Sequence, residues 1–342
     1  KEYLGQEVVP NSGCGSWLLE PQSTNLVNYS EDFSNGSWAK QVGGVASAPL
    51  VTSNYAISPD GTQNASRVVF DLNGGTTSSA FSQLQTIITG TTGVDYASSV
   101  YMKSNDSNTY DVTFINVSGS TTIVSVTPQW KRFDLAAALA SNNMRIRTRG
   151  SEGSSDVTDV LIWGAQVEQQ SYATSYIPTN GATSTRLQDI ATNSGNADLI
   201  NSEEGVLYAE ILKPSNNEDF RIISLSGSGA NFINIGFNSD TKFWFNIKSN
   251  NANSFIDQSV IANQNQYYKV ALKYKSGDIA VWINGLEVLT SQNTFTFTVN
   301  LDSLDFMFNK VSNLYNFYGK NKALAVFKTA LTDEQLTLLT TI

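Results

Sequence analysis

Apolar and polar residues alternate with a period of two along many short stretches of this chain, and rarely with the period of a helix. Residues 95–103, 110–117, 121–126 and 144–148 show the alternation cleanly, so each predicts a strand with one buried face. Residues 25–30, 65–70, 128–133 and 156–167 add further strands, and Ser58-Pro59-Asp60-Gly61 reads as a turn. The alanine-rich run 135–140 is short and reads equally as a helix or as a single helical turn or a bulge. About eight strands at roughly ten-residue spacing predict an antiparallel sandwich or jelly roll.

The pattern changes across residues 161–189. An apolar strand (Leu161, Ile162, Trp163) gives way to a Gln/Ser run and Tyr176-Ile177-Pro178, then to a Thr/Asn/Gly/Ser segment. Tyr172, Tyr176 and Ile177 are too apolar to stay in water, and they predict a connector tacked onto the first sandwich. Downstream, residues 205–212, 220–225, 231–237, 242–247, 267–275, 278–289, 295–299, 304–308 and 324–327 predict a second set of strands. Asn284-Gly285 is a two-residue hairpin signal of the I′ kind. Thr332 and Gln335 form a capping-box pattern ahead of Leu336, Leu338 and Leu339, so the chain is predicted to end in a short helix. The fold class is therefore all-β, with two tandem antiparallel β-sandwich (jelly-roll) domains and a short C-terminal helix. The expected division is a lead-in or attachment segment over 1–24 with Trp17 and Leu18 pinned on the first sandwich, a first domain over 25–178, a connector over 179–188 and a second domain over 189–342.

Composition narrows the chemistry. The chain has 342 residues, enough for two cores, and only 15% are charged, so Ser, Thr, Asn and Gln must form the solvated faces. The net charge of −9 and the scattered Lys and Arg argue against nucleic acid as a partner. No apolar run is long enough for a membrane-spanning helix, so no membrane insertion is expected. The first residues carry no signal-peptide pattern, which a mature chain, a virion-assembled chain and a fragment would share. A single cysteine, Cys14, excludes an internal disulfide framework. The absence of histidine removes every Ser-His-Asp, Cys-His or imidazole-metal system. Catalytic residues are expected to be none.

The candidate ligand-binding residues are Tyr101, Lys103, Arg145, Arg147, Trp244, Asn313, Tyr315 and Tyr318. Tyr101 and Lys103 share one strand face, and Arg145 and Arg147 share another. If those faces met in a concave sheet, they would form a polar, aromatic groove suited to an acidic glycan; the alternative is a solvated face with balanced charge. In Phe243-Trp244-Phe245, alternation turns either Trp244 or the phenylalanine pair away from the core. Trp38, Trp130, Trp163 and Trp282 read as core residues. Asn313, Tyr315, Asn316 and Tyr318 could form a rim loop for stacking and amide hydrogen bonds, or an ordinary turn and edge.

Several segments also carry a family likeness. Residues 19–26 (LEPQSTNL), 29–33 (YSEDF), 58–62 (SPDGT), 163–168 (WGAQVE) and 173–178 (ATSYIP) occur in an order that resembles a module of bacteriophage tail and head-decoration proteins. Its strands are similar to those of carbohydrate-binding modules of the xylan-binding jelly-roll type. From Gly205 on, residues 268–271 (YKVA), 281–285 (VWING) and 325–335 (AVFKTALTDEQ) resemble a concanavalin A-like, laminin-G-like sandwich. The likeness implies a non-enzymatic protein of the virion surface that recognises host-surface polysaccharide, as a tail-fibre, receptor-binding or capsid-decoration subunit. One alternative is a purely structural virion protein that decorates or joins other virion proteins without binding sugar. Another is a secreted bacterial polysaccharide-binding protein. Localisation is expected to be the virion surface or the extracellular space, and the likeness implies a homo-oligomer, commonly a trimer. Jelly-roll modules of this kind often hold a structural calcium; Glu31 and Asp32 could serve it, but the last strand carries Gln166 where an aspartate is usual, so no cofactor is expected. The Glu-x-Asp-x-x-Glu spacing of glycosidases with the concanavalin-like fold is absent.

Overall fold

The structure is a computed structural model that describes residues 2–3, 6–7, 16–191, 196–213, 220–239, 241–312 and 314–341. Its chain folds as two units, one of residues 22–187 and the other of residues 1–21 with 188–342. Both are sandwiches of antiparallel sheets, as the alternation predicts.

In the 22–187 unit, one sheet has the order Thr121–Val126, Tyr110–Ile115, Asn143–Arg149, Phe81–Ile87, Ala39–Gly43. The other has the order Lys131–Ala138, Asp95–Ser104, Val157–Glu168, Ala65–Asp71, Ser47–Ala56. Leu84, Val112, Phe114, Met144 and Ile146 from the first sheet meet Val68, Phe70, Val100, Met102, Val160 and Ile162 from the second in one core. Burying each such side chain stabilises by about 1.5–3 kcal/mol. Trp38 and Phe33 close one end, with ring centroids 4.7 Å apart. Leu135 and its alanines lie in the strand Lys131–Ala138 rather than a helical turn, because pairing with Asp95–Ser104 satisfies their backbone. Three strands had no clear alternation to announce them. Ala39–Gly43 and Ser47–Ala56 are largely exposed edge strands, and Phe81–Ile87 carries its polar Ser82, Gln83 and Thr86 buried.

The closing stretch of this unit is held by a buried polar network. The Glu168 carboxylate accepts from Ser23 Oγ (2.6 Å), Gln166 Nε2 (2.8 Å), Thr174 N (2.6 Å) and Thr174 Oγ1 (2.6 Å). Gln166 Oε1 accepts from Ile177 N at 2.7 Å. Asn25 donates through Nδ2 to Ala165 O and Ile177 O, and its Oδ1 accepts from Val27 N and Val167 N. Tyr176 and Ile177 are thereby fixed to their own sandwich, as their apolar character predicts, and Ser184–Arg186 pairs with Ser23–Asn25.

In the other unit, the six-stranded sheet runs Leu286–Ser291, Ile279–Ile283, Tyr268–Lys275, Glu204–Leu212, Gly319–Phe327, Trp17–Leu19. The five-stranded sheet runs Ala252–Asp257, Phe243–Ser249, Phe232–Phe237, Arg221–Ser226, Ser303–Asp305. Leu207, Val270 and Val281 face Ile223, Ile235 and Phe245 across the core. Trp17–Leu19 is an edge strand of this sheet, with Leu19 across Gly319 and packed on this core; it is not pinned on the first sandwich as expected. Residues 295–299 form no strand; Phe295 is buried in the core and Phe297 packs against it from an irregular segment. The helix Asp333–Thr340 starts at the Thr332 cap with both capping-box bonds made, and lays Leu336 over Val206, Tyr208, Ala271, Ala280 and Trp282.

Two predictions follow from this packing. Asn25→Ala leaves the Val167 N–H and the Ile177 carbonyl unpaired inside the protein, at about 1–3 kcal/mol for each buried group. Hydrogen exchange should therefore speed up at Val27 and Val167 and stay slow in Glu204–Leu212; uniform acceleration would disprove a local role. The second prediction concerns alkali. Burial pushes the Tyr176 and Tyr274 phenols up, and burial with nearby Glu210 pushes Tyr208 up to about 12. These protonated phenols contribute stability in full below the unfolded-state value of about 10, and the contribution is lost as pH rises through the folded values. Urea midpoints should fall between about pH 9 and about pH 11.5, and Tyr208→Phe should reduce that fall.

Candidate functional site

The outer face of the five-stranded sheet carries the most concentrated recognition chemistry. Phe243, Phe245 and Ile247 point into the core, so Trp244 and Asn246 point outward. The register lines up Asn246, Asn234, Ser224 and Asp305 as one polar row across four strands. Trp244 stands across Gly236, where a Cβ would come 2.0 Å from Arg221 O, so only glycine fits.

Residues 306–312 and 314–316 are laid over this face. Ile222 N donates to Tyr315 O, and Lys310 N donates to Ser226 Oγ. Phe308 packs against Phe232 (4.7 Å between centroids) and Trp244 (5.6 Å). Phe220 meets Trp244 at 4.6 Å and Tyr315 at 4.8 Å. Trp244 is therefore only 8% exposed, whereas Tyr315 is 41% exposed and holds a left-handed backbone (φ 57°). Beneath this cover the Trp244 indole Nε1, Ser224 Oγ and Asn246 Oδ1 are buried without a hydrogen-bond partner. The row ends at Asp305, whose carboxylate takes the Ser226 and Ser303 hydroxyls at 2.7 and 2.8 Å. The cluster thus presents one open ring, Tyr315, above a polar row that is itself buried.

The candidate residues are distributed as follows. Trp244 and Tyr315 come together in this cluster, although Trp244 is covered rather than exposed. Tyr318 turns away and donates its hydroxyl to Gln188 at 2.7 Å. Asn313 lies outside the described residues, as does Cys14. The four candidates of the first sandwich do not meet in one groove. Tyr101 and Lys103 alternate with Val100 and Met102 and so lie on the outside of one sheet. Arg145 and Arg147 alternate with Met144 and Ile146 and lie on the outside of the other. The core stands between them. Tyr101 sits edge-on to Trp163 at 5.3 Å beneath the Arg132 guanidinium, Tyr176 covers Trp163 at 4.4 Å, and Lys103 lies over Trp130. Arg147 is buried and paired with Glu152.

Phe220 and Phe308 were not foreseen in the cluster, since they stand at the outer ends of the predicted strands 220–225 and 304–308. The observed strand ends at Asp305, which lets Phe308 turn over the outer face. A cleft of about 480 Å³ in the 22–187 unit was also not foreseen; Gln22, Thr89, Thr91, Tyr96, Gln169 and Gln170 are among its lining residues. The Glu31 carboxylate accepts from Asn64 and Tyr176, and Asp32 accepts from Ser34 and Ser53. Among the described residues, no group of three or more acidic or cysteine side chains gathers as a metal site.

Comparison with known sequences bears on the second unit. Residues 208–337 match Laminin_G_3, the concanavalin A-like lectin/glucanases superfamily. The match takes in the strands that carry the Trp244 cluster, so the cluster lies on a concanavalin A-like sandwich. No curated protein matches the chain. Among solved structures, the chain is similar to the heptameric SAP-like pentraxin of Limulus polyphemus, with 16% identity and a TM-score of 0.34 over 43% of this chain and 72% of that one. It is likewise similar to domain 4 of the Geobacillus stearothermophilus arabinanase AbnA, in complex with arabinotriose, with 19% identity and a TM-score of 0.34 over 47% of this chain and 74% of that one. A Trypanosoma rangeli sialidase mutant aligns at 11% identity and a TM-score of 0.35, over 41% of this chain and 23% of its own.

The Tyr315 cover makes a direct prediction. Tyr315→Ala removes three ring contacts from the cluster, to Phe220, Trp244 and Phe308, and opens the edge of Trp244. Acrylamide quenching of the Trp244 fluorescence, taken as the difference from Trp244→Phe, should rise in the variant; unchanged quenching would show that Phe308 and Phe220 suffice as cover.

Proposed function

We propose that this protein is a non-enzymatic recognition subunit of a virion surface, a tail-fibre, receptor-binding or capsid-decoration protein that binds host-surface polysaccharide. The observation that carries the proposal is the Trp244–Tyr315 cluster with its row of Asn246, Asn234 and Ser224, on a concanavalin A-like sandwich. Tyr315 and Phe220 offer ring faces to the C–H face of a sugar, and the row behind them keeps unused donors and acceptors beneath this cover. The chain has no histidine, and the paired-carboxylate spacing of glucanases is missing from its sequence, so recognition without cleavage is the reading that fits its side chains. The phage-module likeness of residues 16–186 supports the virion setting, in which other virion proteins are partners and a homo-oligomer, commonly a trimer, is the expected assembly.

A glycan array of bacterial surface polysaccharides, probed with the full chain, tests the proposal. Binding to at least one polysaccharide is expected, and Tyr315→Ala should weaken it by roughly tenfold, the value of a stacked ring. Virions lacking the protein should adsorb less well to cells carrying that polysaccharide. An array without binding, together with undiminished adsorption, would leave the purely structural role instead.

A further inference from the structure

The outer face of the sheet that holds Asn143–Arg149 carries a ladder of three arginines, Arg145, Arg147 and Arg149, at alternate positions. The ladder already holds one carboxylate. Glu152 is bound by Arg147 through Nε (3.2 Å) and Nη2, by Thr113 Oγ1 at 2.5 Å, and more distantly by Arg149 at 3.7 Å. Burial raises the Glu152 carboxyl, but these donors and positive charges outweigh it and hold it below the ordinary value. Thus Arg147 is neutralised, and one carboxylate is shared with Arg149.

Arg145 is different. Its Nε donates to Gln85 Oε1 at 2.9 Å, which fixes the plane of the guanidinium. No carboxylate of the described residues lies within ion-pair distance, and its Nη groups have no protein acceptor among them. It is half-buried and directly opposite Gln85 and Ile115 in the register. Burial and the like charges of Arg147 and Arg149 lower its affinity for its own proton. This is an oriented, partly desolvated cation beside two others in a chain of net charge −9.

We propose that the Nη edge of Arg145 is the carboxylate-binding point of an acidic-saccharide site on this face, with Gln41 and Thr121 meeting the sugar hydroxyls. The inference rests on the saccharide-recognition reading and adds to it a ligand class and a second surface. A planar guanidinium whose Nε is occupied still presents two parallel Nη–H bonds, the geometry that matches a carboxylate. Away from Arg147 and Arg149, the flanking groups are uncharged: Gln41 on one side and Thr121 on the other. Gln83 Nε2 donates to Gln41 Oε1 at 2.6 Å on the next row, and Thr121 stands across Ile115. Neutral amides and hydroxyls around a single unpaired cation suit a uronate or sialate, with one negative charge and many hydroxyls. A phosphorylated or sulfated polymer would be served better by several unpaired cations.

The test uses calorimetric titration of the full chain with a panel of uronate and sialate oligosaccharides, each paired with its carboxyl methyl ester. At least one acid should bind and its ester should bind tenfold or more weakly. Arg145→Gln should lose about ten- to a hundredfold of the acid binding, the worth of a charge-assisted pair, and leave binding of the ester unchanged. Gln85→Ala, which keeps the charge and frees the guanidinium plane, should lose less. If Arg145→Gln does not fold, Arg145→Lys takes its place; it keeps the charge, loses the planar fork and should still weaken binding several-fold. Acids binding no better than their esters, or acid binding unchanged in the folded Arg145 variant, would overturn the proposal. Loss of saccharide binding in Tyr315→Ala with Arg145→Gln unaffected would reject this site and leave the Trp244 surface standing. Loss confined to Arg145→Gln would do the reverse.

Discussion

The 22–187 sandwich depends on a carboxylate that it has removed from water. Glu168 lies buried at the end of the long closing strand, and a bare charge there would be costly. It is tolerated because donors reach it from three places in the sequence: Ser23, Gln166 and Thr174. Those donors cannot gather unless the segment before the first sandwich strands and the segment after the last both lie against Val157–Glu168. Asn25 and Gln166 repeat the same device with backbone groups. The cost of leaving any of these groups unpaired converts a loose Gln/Ser/Thr-rich stretch into a fixed one, and it seats Tyr176 where it covers Trp163.

That covering illustrates a constraint shared by both units. A sandwich sheet has an inner face against its partner and an outer face toward water, and a large aromatic on the outer face needs its own cover. Trp163, Trp244 and Trp282 all stand on outer faces, and each is almost fully buried. Tyr176 and Tyr101 cover the first, Phe220, Phe308 and Tyr315 the second, and the helix with Leu336 the third. All three indole N–H groups are buried without an acceptor. The covers differ in how they are held. Leu336 rides on a capped helix and Tyr176 is bonded to Ser30 and Glu31, whereas Tyr315 sits in an irregular segment with a left-handed backbone. The Trp244 cover is thus the one that combines a half-exposed ring with unpaired Ser224 Oγ and Asn246 Oδ1 atoms beneath it, which is why recognition is proposed there.

Electrostatics separates the two surfaces. The five-stranded face of the concanavalin A-like unit is neutral beneath its aromatics, apart from an Asp305 satisfied by hydroxyls. The arginine ladder of the first unit is cationic and almost free of aromatic rings, Phe81 beneath Arg149 excepted. On the proposed reading, the two surfaces would meet the apolar face and the charge of a saccharide with separate side chains.

The strands were legible wherever one face is apolar and the other polar, because period-two alternation is a local consequence of the pleat. That covered most of both sandwiches, the hairpin at Asn284-Gly285 and the capped helix. Ala39–Gly43 and Ser47–Ala56 lack the signal because they lie at sheet edges, where both sides of the strand see water. For the candidate site, Trp244 and Tyr315 were legible as aromatics at unusual positions, but Phe220 and Phe308 join them only through strand order and a loop crossing the sheet. Alternation likewise put Tyr101 with Lys103 and Arg145 with Arg147. Which outer face each pair occupies depends on which strands pair with which, a long-range choice fixed by core packing rather than by neighbours in sequence. Local chemistry, then, determined that this is an all-β chain without histidine chemistry. Tertiary structure alone decided that Trp17–Leu19 joins the sheet of the second unit, that Trp244 is roofed, and that one arginine of three is left without a carboxylate, because each of these is set by residues distant in sequence competing for the same buried space or the same charge.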